Sequence, residues 1–204
     1  MKAFSILQEK FNLPPVKIHL HKIIPIGAGL GGGSSDAAFM IKILNDLFGL
    51  KMSNEKMQEI AKNLGSDCPF FIENEPVYAT DKGDVFENVS LRLSGFHILL
   101  VKPDIHVSTP EAYSMIVPKA SSFSLKNIDI KSIHEWKDQL KNDFEIHIFK
   151  KYPEIKIIRE KLYESGAVYA SMSGSGSAVY GIFEKPVTTG KTFDNYYTWQ
   201  GQFN

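Results

Sequence analysis

The chain has 204 residues, 43% hydrophobic and 23% charged, which suits one large globular domain or two small ones and excludes a fibrous or disordered chain. Lys plus Arg equal Asp plus Glu at 23 each, so no basic excess favours nucleic acid or an anionic membrane, and anions must be held by local sites. A single cysteine, Cys68, excludes an internal disulfide and fits a reducing compartment; with no apolar run of about 18 residues and no signal-like opening, a cytoplasmic location is expected.

Met1 to Phe11 carries apolar residues at 3, 4, 7 and 11, the spacing of an amphipathic helix. Val16 to Leu20 alternates with period 2 and predicts a strand, with His19 and His21 on one face. The segment Pro25-Ile26-Gly27-Ala28-Gly29-Leu30-Gly31-Gly32-Gly33-Ser34-Ser35-Asp36-Ala37-Ala38 then holds five of the 15 glycines. A helix is predicted from Ser34 or Ser35 to Phe48, because Ala37, Ala38, Met40, Ile41, Leu44 and Leu47 repeat helically. The next helix runs from Ser53 to Leu64, with Ser53 as its cap and Gly65 as a left-handed stop. Cys68 to Phe71 and Pro76 to Thr80 read as extended, a turn follows at Asp81-Lys82-Gly83-Asp84, and a strand lies near Val85. A first lobe closes near residue 90, giving lobes at 1–92 and 93–204.

The continuous apolar run Phe96 to Val101 predicts a buried strand, ended by Lys102-Pro103. Pro110 suits the first turn of a short helix through Met115. Residues 118 to 132 are polar and irregular, helices are expected at 133–150 and 153–164, and Gly166 stops the second. Val168 to Ser171 and Ala178 to Phe183 predict a strand pair joined by Ser173-Gly174-Ser175-Gly176, and beyond Pro186 no period is visible.

A glycine loop between a strand and a helix start reads as a phosphate cradle, with a purely structural glycine-rich turn as the alternative. Glycines let an anion reach the backbone, and the first helical turn offers N–H groups without acceptors and the positive end of the dipole. Ser34 and Ser35 add hydroxyls for the phosphate or a metal on it. A Walker loop would need a lysine before its serine, and the GxGxxG match lacks the following strand and acidic residue of a dinucleotide fold. Asp67, just past the helix stop, is either a turn residue or a carboxylate placed for general-base work. The Gly174 loop is either a plain hairpin or a second donor-rich cradle. Tyr113 reads as a helix-face core residue, Lys22 and Lys102 as solvated surface, and the six histidines show no zinc spacing.

The Pro25 to Ala38 segment resembles the second motif of the galactokinase, homoserine kinase, mevalonate kinase and phosphomevalonate kinase (GHMP) superfamily. Its narrower form is most similar to the 4-diphosphocytidyl-2-C-methyl-D-erythritol kinases. Leu64 to Phe71, Val101-Lys102-Pro103 with Ser108 to Tyr113, and Met172 to Ser177 match further segments in order, over roughly residues 1 to 183. The resemblance implies an α+β, two-lobed fold: a ribosomal-protein-S5-domain-2-like N-terminal lobe, incomplete here, and a ferredoxin-like C-terminal lobe. It implies ATP-dependent phosphorylation of the 2-hydroxyl of the cytidyl substrate in isoprenoid precursor synthesis, with Mg²⁺ and a cytoplasmic monomer or weak homodimer that binds neither nucleic acid nor membrane. Asp67 becomes the catalytic base. Pro25, Gly27, Gly29, Leu30, Gly31, Gly32, Gly33, Ser34, Ser35, Gly174, Ser175 and Gly176 become the nucleotide site, Thr109 and Tyr113 the substrate end, and Ser34 the metal contact. Asp36 stands where the family often has Asn, which argues against direct metal ligation. The family's first-motif lysine and Gly-Tyr-His segment have no match here, so the chain reads as N-terminally incomplete by several tens of residues. Severely impaired catalysis is expected of it, with a mevalonate- or homoserine-type kinase or an inactive nucleotide-binding fragment as alternatives.

Overall fold

A computed structural model describes residues 1–116, 124–130 and 132–204. Two compact units form, one from Met1–Ile26 and Gly31–Ser90, the other from Gly27–Leu30 and Leu91–Asn204.

The first unit is built on helices α1 (Lys2–Phe11), α2 (Gly32–Leu47), α3 (Asn54–Lys62) and the single turn α4 (Phe70–Glu73). Their apolar stripes meet: Phe4 and Leu7 from α1, Ala38, Ile41 and Leu44 from α2, Met57 and Ile60 from α3, with Cys68 and Ile72. Leu7 and Ile41 are wholly inaccessible; burying side chains of this size contributes roughly 1.5–3 kcal/mol each. Ser53 caps α3, its Oγ accepting from the Lys56 N–H at 3.3 Å. β1 (Val77–Thr80) and β2 (Val85–Asn88) form an antiparallel hairpin with Thr80 opposite Val85, turned by Asp81 and Gly83 at positive φ.

Several expectations for this unit change. Val16 to Leu20 joins no sheet among the described residues, and Ile18, Leu20, Ile23, Ile24 and Ile26 are exposed. Alternation marks a pleat-compatible sequence, but a strand also needs a partner ladder. Helix α2 starts at Gly32, taking two glycines of the loop into its first turn. α3 ends at Lys62, and Gly65 is not left-handed; the Gly65 N–H donates to Ala61 O at 3.3 Å, continuing the helical turn. Cys68 to Phe71 is not extended, because Pro69 adopts φ −60, ψ −34 and opens the turn α4.

The second unit is a four-stranded sheet, β4 (Tyr169–Met172), β5 (Val179–Phe183), β3 (His97–Lys102) and β6 (Tyr197–Gln202) in spatial order, every neighbour antiparallel. β3 and β4 run parallel with β5 between them, the split crossover of a ferredoxin-like sheet. Between them come α5 (Thr109–Ser114), a 3-10 turn at Leu125–Ile130, α6 (Ile133–Gln139), α7 (Glu145–Lys151) and α8 (Pro153–Glu164). Leu99, Val101, Val179 and Phe183 share one core with Ile155, Ile158 and Leu162 of α8. Ile182 and Tyr169 pack instead with Trp136, whose ring meets Tyr169 edge-on at 5.6 Å. Covered on both faces, β3 reads as a continuous apolar run.

The expected irregular stretch 118–132 lies outside the described residues at 118–123 and 131, and where it is described Leu125–Ile130 forms the 3-10 turn. The expected helix 133–150 is two helices, broken where the Asn142 side chain accepts from the Phe144 N–H at 3.0 Å. The tail forms β6, whose residues are mostly exposed and so carry no apolar alternation. Among the described residues no helix is long and apolar enough to cross a membrane.

Candidate functional site

In the first unit, Gly31 is the N-cap of α2 at φ +63, and the Ser35 N–H makes the bond back to Gly31 O at 2.8 Å. The N–H groups of Gly32, Gly33 and Ser34 therefore have no acceptor within the helix. Gly33 is exposed, and a Cβ there would meet nothing within 4 Å. A Cβ on Gly32 would lie 3.1 Å from Lys22 Nζ, which donates to Asp36 Oδ2 at 2.6 Å. Contrary to the expectation of a solvated surface lysine, Lys22 is an ammonium held at the start of α2. A cation at the positive helix end is electrostatically unfavourable alone; Asp36 offsets it here, and an anion would do the same.

The Ser66–Phe71 segment packs against this helix start. The Phe71 ring lies 2.7 Å from where a Gly31 Cβ would be, and the buried Cys68 thiol shares a hydrogen bond with Ser34. Burial pushes that thiol up and the Asp67 charge pushes the same way, while the Ser34 bond opposes both. Asp67 is exposed, one residue from this contact, and accepts from Ser66 Oγ at 3.3 Å. Asp67, Ser34 and the open N–H groups thus come from neighbouring parts of one unit.

The second unit carries the loop's apex. Ala28 is buried with Leu100 and Ala178, and its carbonyl accepts from the Ala178 N–H at 3.0 Å. Gly29 stands at φ +73; a Cβ there would lie 2.2 Å from Ser173 O and 2.8 Å from Gly176 O. Only glycine lets these two backbones approach so closely. Ser173 Oγ donates to Gly29 O at 2.8 Å, so two glycine-serine segments 144 positions apart lie against each other. Gly174 is exposed and Ser175 half-buried, whereas Gly176 is buried against Gly29. Gly27 adjoins His106, whose Nδ1 is 2.2 Å from the position of a Cβ.

Thr109 opens α5 behind the Ser108 cap, whose Oγ accepts from the Glu111 N–H at 3.3 Å. Tyr113 is not a core residue: it is 64% exposed and meets Phe144 edge-on at 5.1 Å. Asn142 Nδ2 donates to Met172 O at 2.8 Å and Gly174 O at 2.7 Å. Glu145 accepts from the Met172 N–H at 2.7 Å and from Arg159 Nη1 at 2.6 Å.

Among the described residues no group of three or more His, Cys, Asp or Glu could hold a metal. With Asp36 engaged by Lys22, the donor chemistry would fit a magnesium ion carried mainly by phosphate oxygens and water, and the Ser34 hydroxyl is the side chain that could reach it. Sequence reasoning missed Asn142, Glu145, His106 and the placement of Lys22. Only Asn142 had a local signal, as a capping residue ahead of a helix.

Two family profiles match the chain, GHMP kinases N terminal domain at residues 1–74 and GHMP kinases C terminal at residues 124–190. A 4-diphosphocytidyl-2-C-methyl-D-erythritol kinase of Parabacteroides distasonis is 50% identical over 100% of this chain and 76% of its own length. One from Cytophaga hutchinsonii is 53% identical, over 92% of this chain and 70% of its own. A crystal structure of 4-(cytidine 5'-diphospho)-2C-methyl-D-erythritol kinase superposes with TM-score 0.83 at 29% identity, covering 98% of this chain and 75% of that one. A homoserine kinase structure from Cytophaga hutchinsonii, at TM-score 0.67 and 16% identity, shares the fold.

Proposed function

The chain belongs to the GHMP kinase family, among its 4-diphosphocytidyl-2-C-methyl-D-erythritol kinases, and we propose that it transfers the γ-phosphate of ATP to the 2-hydroxyl of that cytidyl compound. The reaction belongs to isoprenoid precursor synthesis by the non-mevalonate route, in the cytoplasm, by a monomer or weak homodimer that engages neither nucleic acid nor membrane. The observation that carries the reading is the apposition of Gly29 with Ser173 and Gly176, which brings the apex of the first glycine-rich segment against the second within one unit.

Phosphoryl transfer needs charge neutralisation, alignment and an acceptor for the hydroxyl proton. In the first unit the N–H groups of Gly32, Gly33 and Ser34 and the Lys22 ammonium supply the first two, and in the second unit the exposed backbone at Gly174 and Ser175 is assigned to the nucleotide. Pro25, Gly31 and Ser35 are assigned to the nucleotide site in the first unit, and Gly27, Leu30 and Gly176 in the second. Mg²⁺, touching Ser34, would neutralise phosphate charge when bound. Asp67 takes the proton from the 2-hydroxyl; its exposed carboxylate accepts from Ser66 Oγ. The exposed Tyr113 ring stacks on the cytosine, and Thr109 contacts the methylerythritol end. Nucleotide binding is assigned to residues 1–92 and the C-terminal lobe to 93–204.

The test is Mg²⁺-dependent ADP release with the cytidyl compound, mevalonate or homoserine as acceptor. Release with the cytidyl compound alone supports the reading, and a preference for either other acceptor overturns it. Asp67→Asn should abolish release while ATP binding persists; ATP binding without release by the parent chain returns the inactive-fragment reading.

A further inference from the structure

We infer that Asn142 and Glu145 are positioning residues for the nucleotide: they clamp the β4–β5 connection from behind and set where its exposed backbone stands, without touching the ligand. The inference rests on the reading of that connection as a phosphate contact. A Ser-Gly-Ser-Gly segment loses much conformational entropy when held in one place, so its position must be imposed by neighbours.

Asn142 imposes it with both hydrogens of one amide nitrogen, donated to Met172 O at 2.8 Å and Gly174 O at 2.7 Å. Its oxygen accepts from the Phe144 N–H at 3.0 Å, which orients the amide. Glu145, one helical turn on and 7% exposed, accepts from the Met172 N–H at 2.7 Å and from Ser171 Oγ at 3.1 Å. Arg159 Nη1, at 2.6 Å, balances its charge. Met172 is therefore gripped at its N–H by one residue and at its carbonyl by the other, with Gly174 fixed two positions later. Between them Ser173 donates to Gly29 O at 2.8 Å, so the same clamp fixes the apex of the first loop. No other side chain with a described hydrogen bond reaches the carbonyls of Met172 and Gly174 together.

Asn142 also precedes α7, where its oxygen closes a turn with the Phe144 N–H, and that local role alone would explain its presence. Asn142→Asp separates the two roles. The variant keeps the oxygen that accepts from Phe144 but turns an oxygen toward two carbonyls, so the turn ahead of α7 survives and the clamp is lost. The experiment measures ATP affinity by calorimetry, and amide hydrogen exchange at Ser173–Ser177, on the full chain. The parent, Asn142→Asp, Asn142→Ala and the neighbouring exposed control Lys141→Ala are compared. Loss of two hydrogen bonds behind the loop should weaken ATP binding about tenfold or more in both Asn142 variants. Exchange at Ser173–Ser177 should accelerate in both, and Lys141→Ala should match the parent. Parental ATP affinity in Asn142→Asp overturns the inference. If exchange accelerates nonetheless, the fault lies in the phosphate reading of the loop; if exchange is also unchanged, Asn142 only shapes the turn ahead of α7.

Discussion

Replacing Gly33 by alanine should push stability and nucleotide affinity in opposite directions. Gly33 lies in the first turn of α2, outside the left-handed region, with nothing within 4 Å of the position its Cβ would take. Such a Gly→Ala change narrows the unfolded ensemble and stabilises by ~0.4–1 kcal/mol, or about 1–4 °C in Tm for a chain of this length. A phosphate drawn to the free N–H groups of Gly32, Gly33 and Ser34 must cross that same open space, which the new methyl fills. Losing one charge-assisted hydrogen bond costs about 1.5–3 kcal/mol, roughly a 10- to 150-fold weaker Kd for ATP. Thermal unfolding followed by circular dichroism, with calorimetric titration of ATP, reads both numbers from one preparation. A Gly33→Ala chain that is more stable and binds ATP like the parent refutes the placement of the phosphate at this helix start. Gly29→Ala is the counterpart: at φ +73, with Ser173 O 2.2 Å from the added carbon, it should lose at least ~2 kcal/mol.

Leu7→Ala should destabilise the first unit by about 2–5 kcal/mol in urea unfolding, since Leu7 is wholly buried where α1 meets α2. Glu145→Gln should cost about 2–3 kcal/mol, less than a fully buried pair because the Arg159 side chain is 28% exposed, and the same unfolding curves would show it. Burial holds the Cys68 thiol above its ordinary 9.0, so the folded state keeps a proton that the unfolded chain releases; this stabilisation is complete below pH 9.0 and is lost as pH rises through the folded value. Cys68→Ala should remove that alkaline slope, and native Cys68 should react with iodoacetamide far more slowly than the unfolded chain. Hydrogen bonds from Lys151 and then Tyr152 hold the Glu111 carboxyl below the usual range, so its contribution is present above the ordinary carboxylate value and fades as pH falls through the folded one. Glu111→Gln should therefore flatten the acid limb of a stability profile.

Periodicity made α1, α2, α3 and α8 legible because each buries one stripe against a single core, and an apolar stripe is a local record of which face is covered. β3 was legible for the complementary reason: a strand covered on both faces is apolar throughout. The glycine loop and Asp67 were readable as residues with a chemistry, since a cradle for phosphate needs small residues and hydroxyls in succession. Three things were settled only by long-range contacts. Val16 to Leu20 has the alternation of a strand but joins no ladder among the described residues, and β6 forms a ladder without alternation because β3 supplies its hydrogen bonds. Lys22 looks like any surface lysine until Asp36 draws it over Gly32.

The sequence by itself determined which segments could receive a phosphate, because that capacity resides in residue type: no Cβ, a hydroxyl, a helix about to begin. Which parts of those segments meet was decided by tertiary structure. Gly29 meets Ser173 across 144 positions, and Asn142 and Glu145 hold the second segment from a helix start that no periodicity marks. Hydrogen bonds to backbone carbonyls leave no trace in the sequence of the residues that supply the carbonyls. The clamp behind the loop becomes visible only once the chain has folded around it.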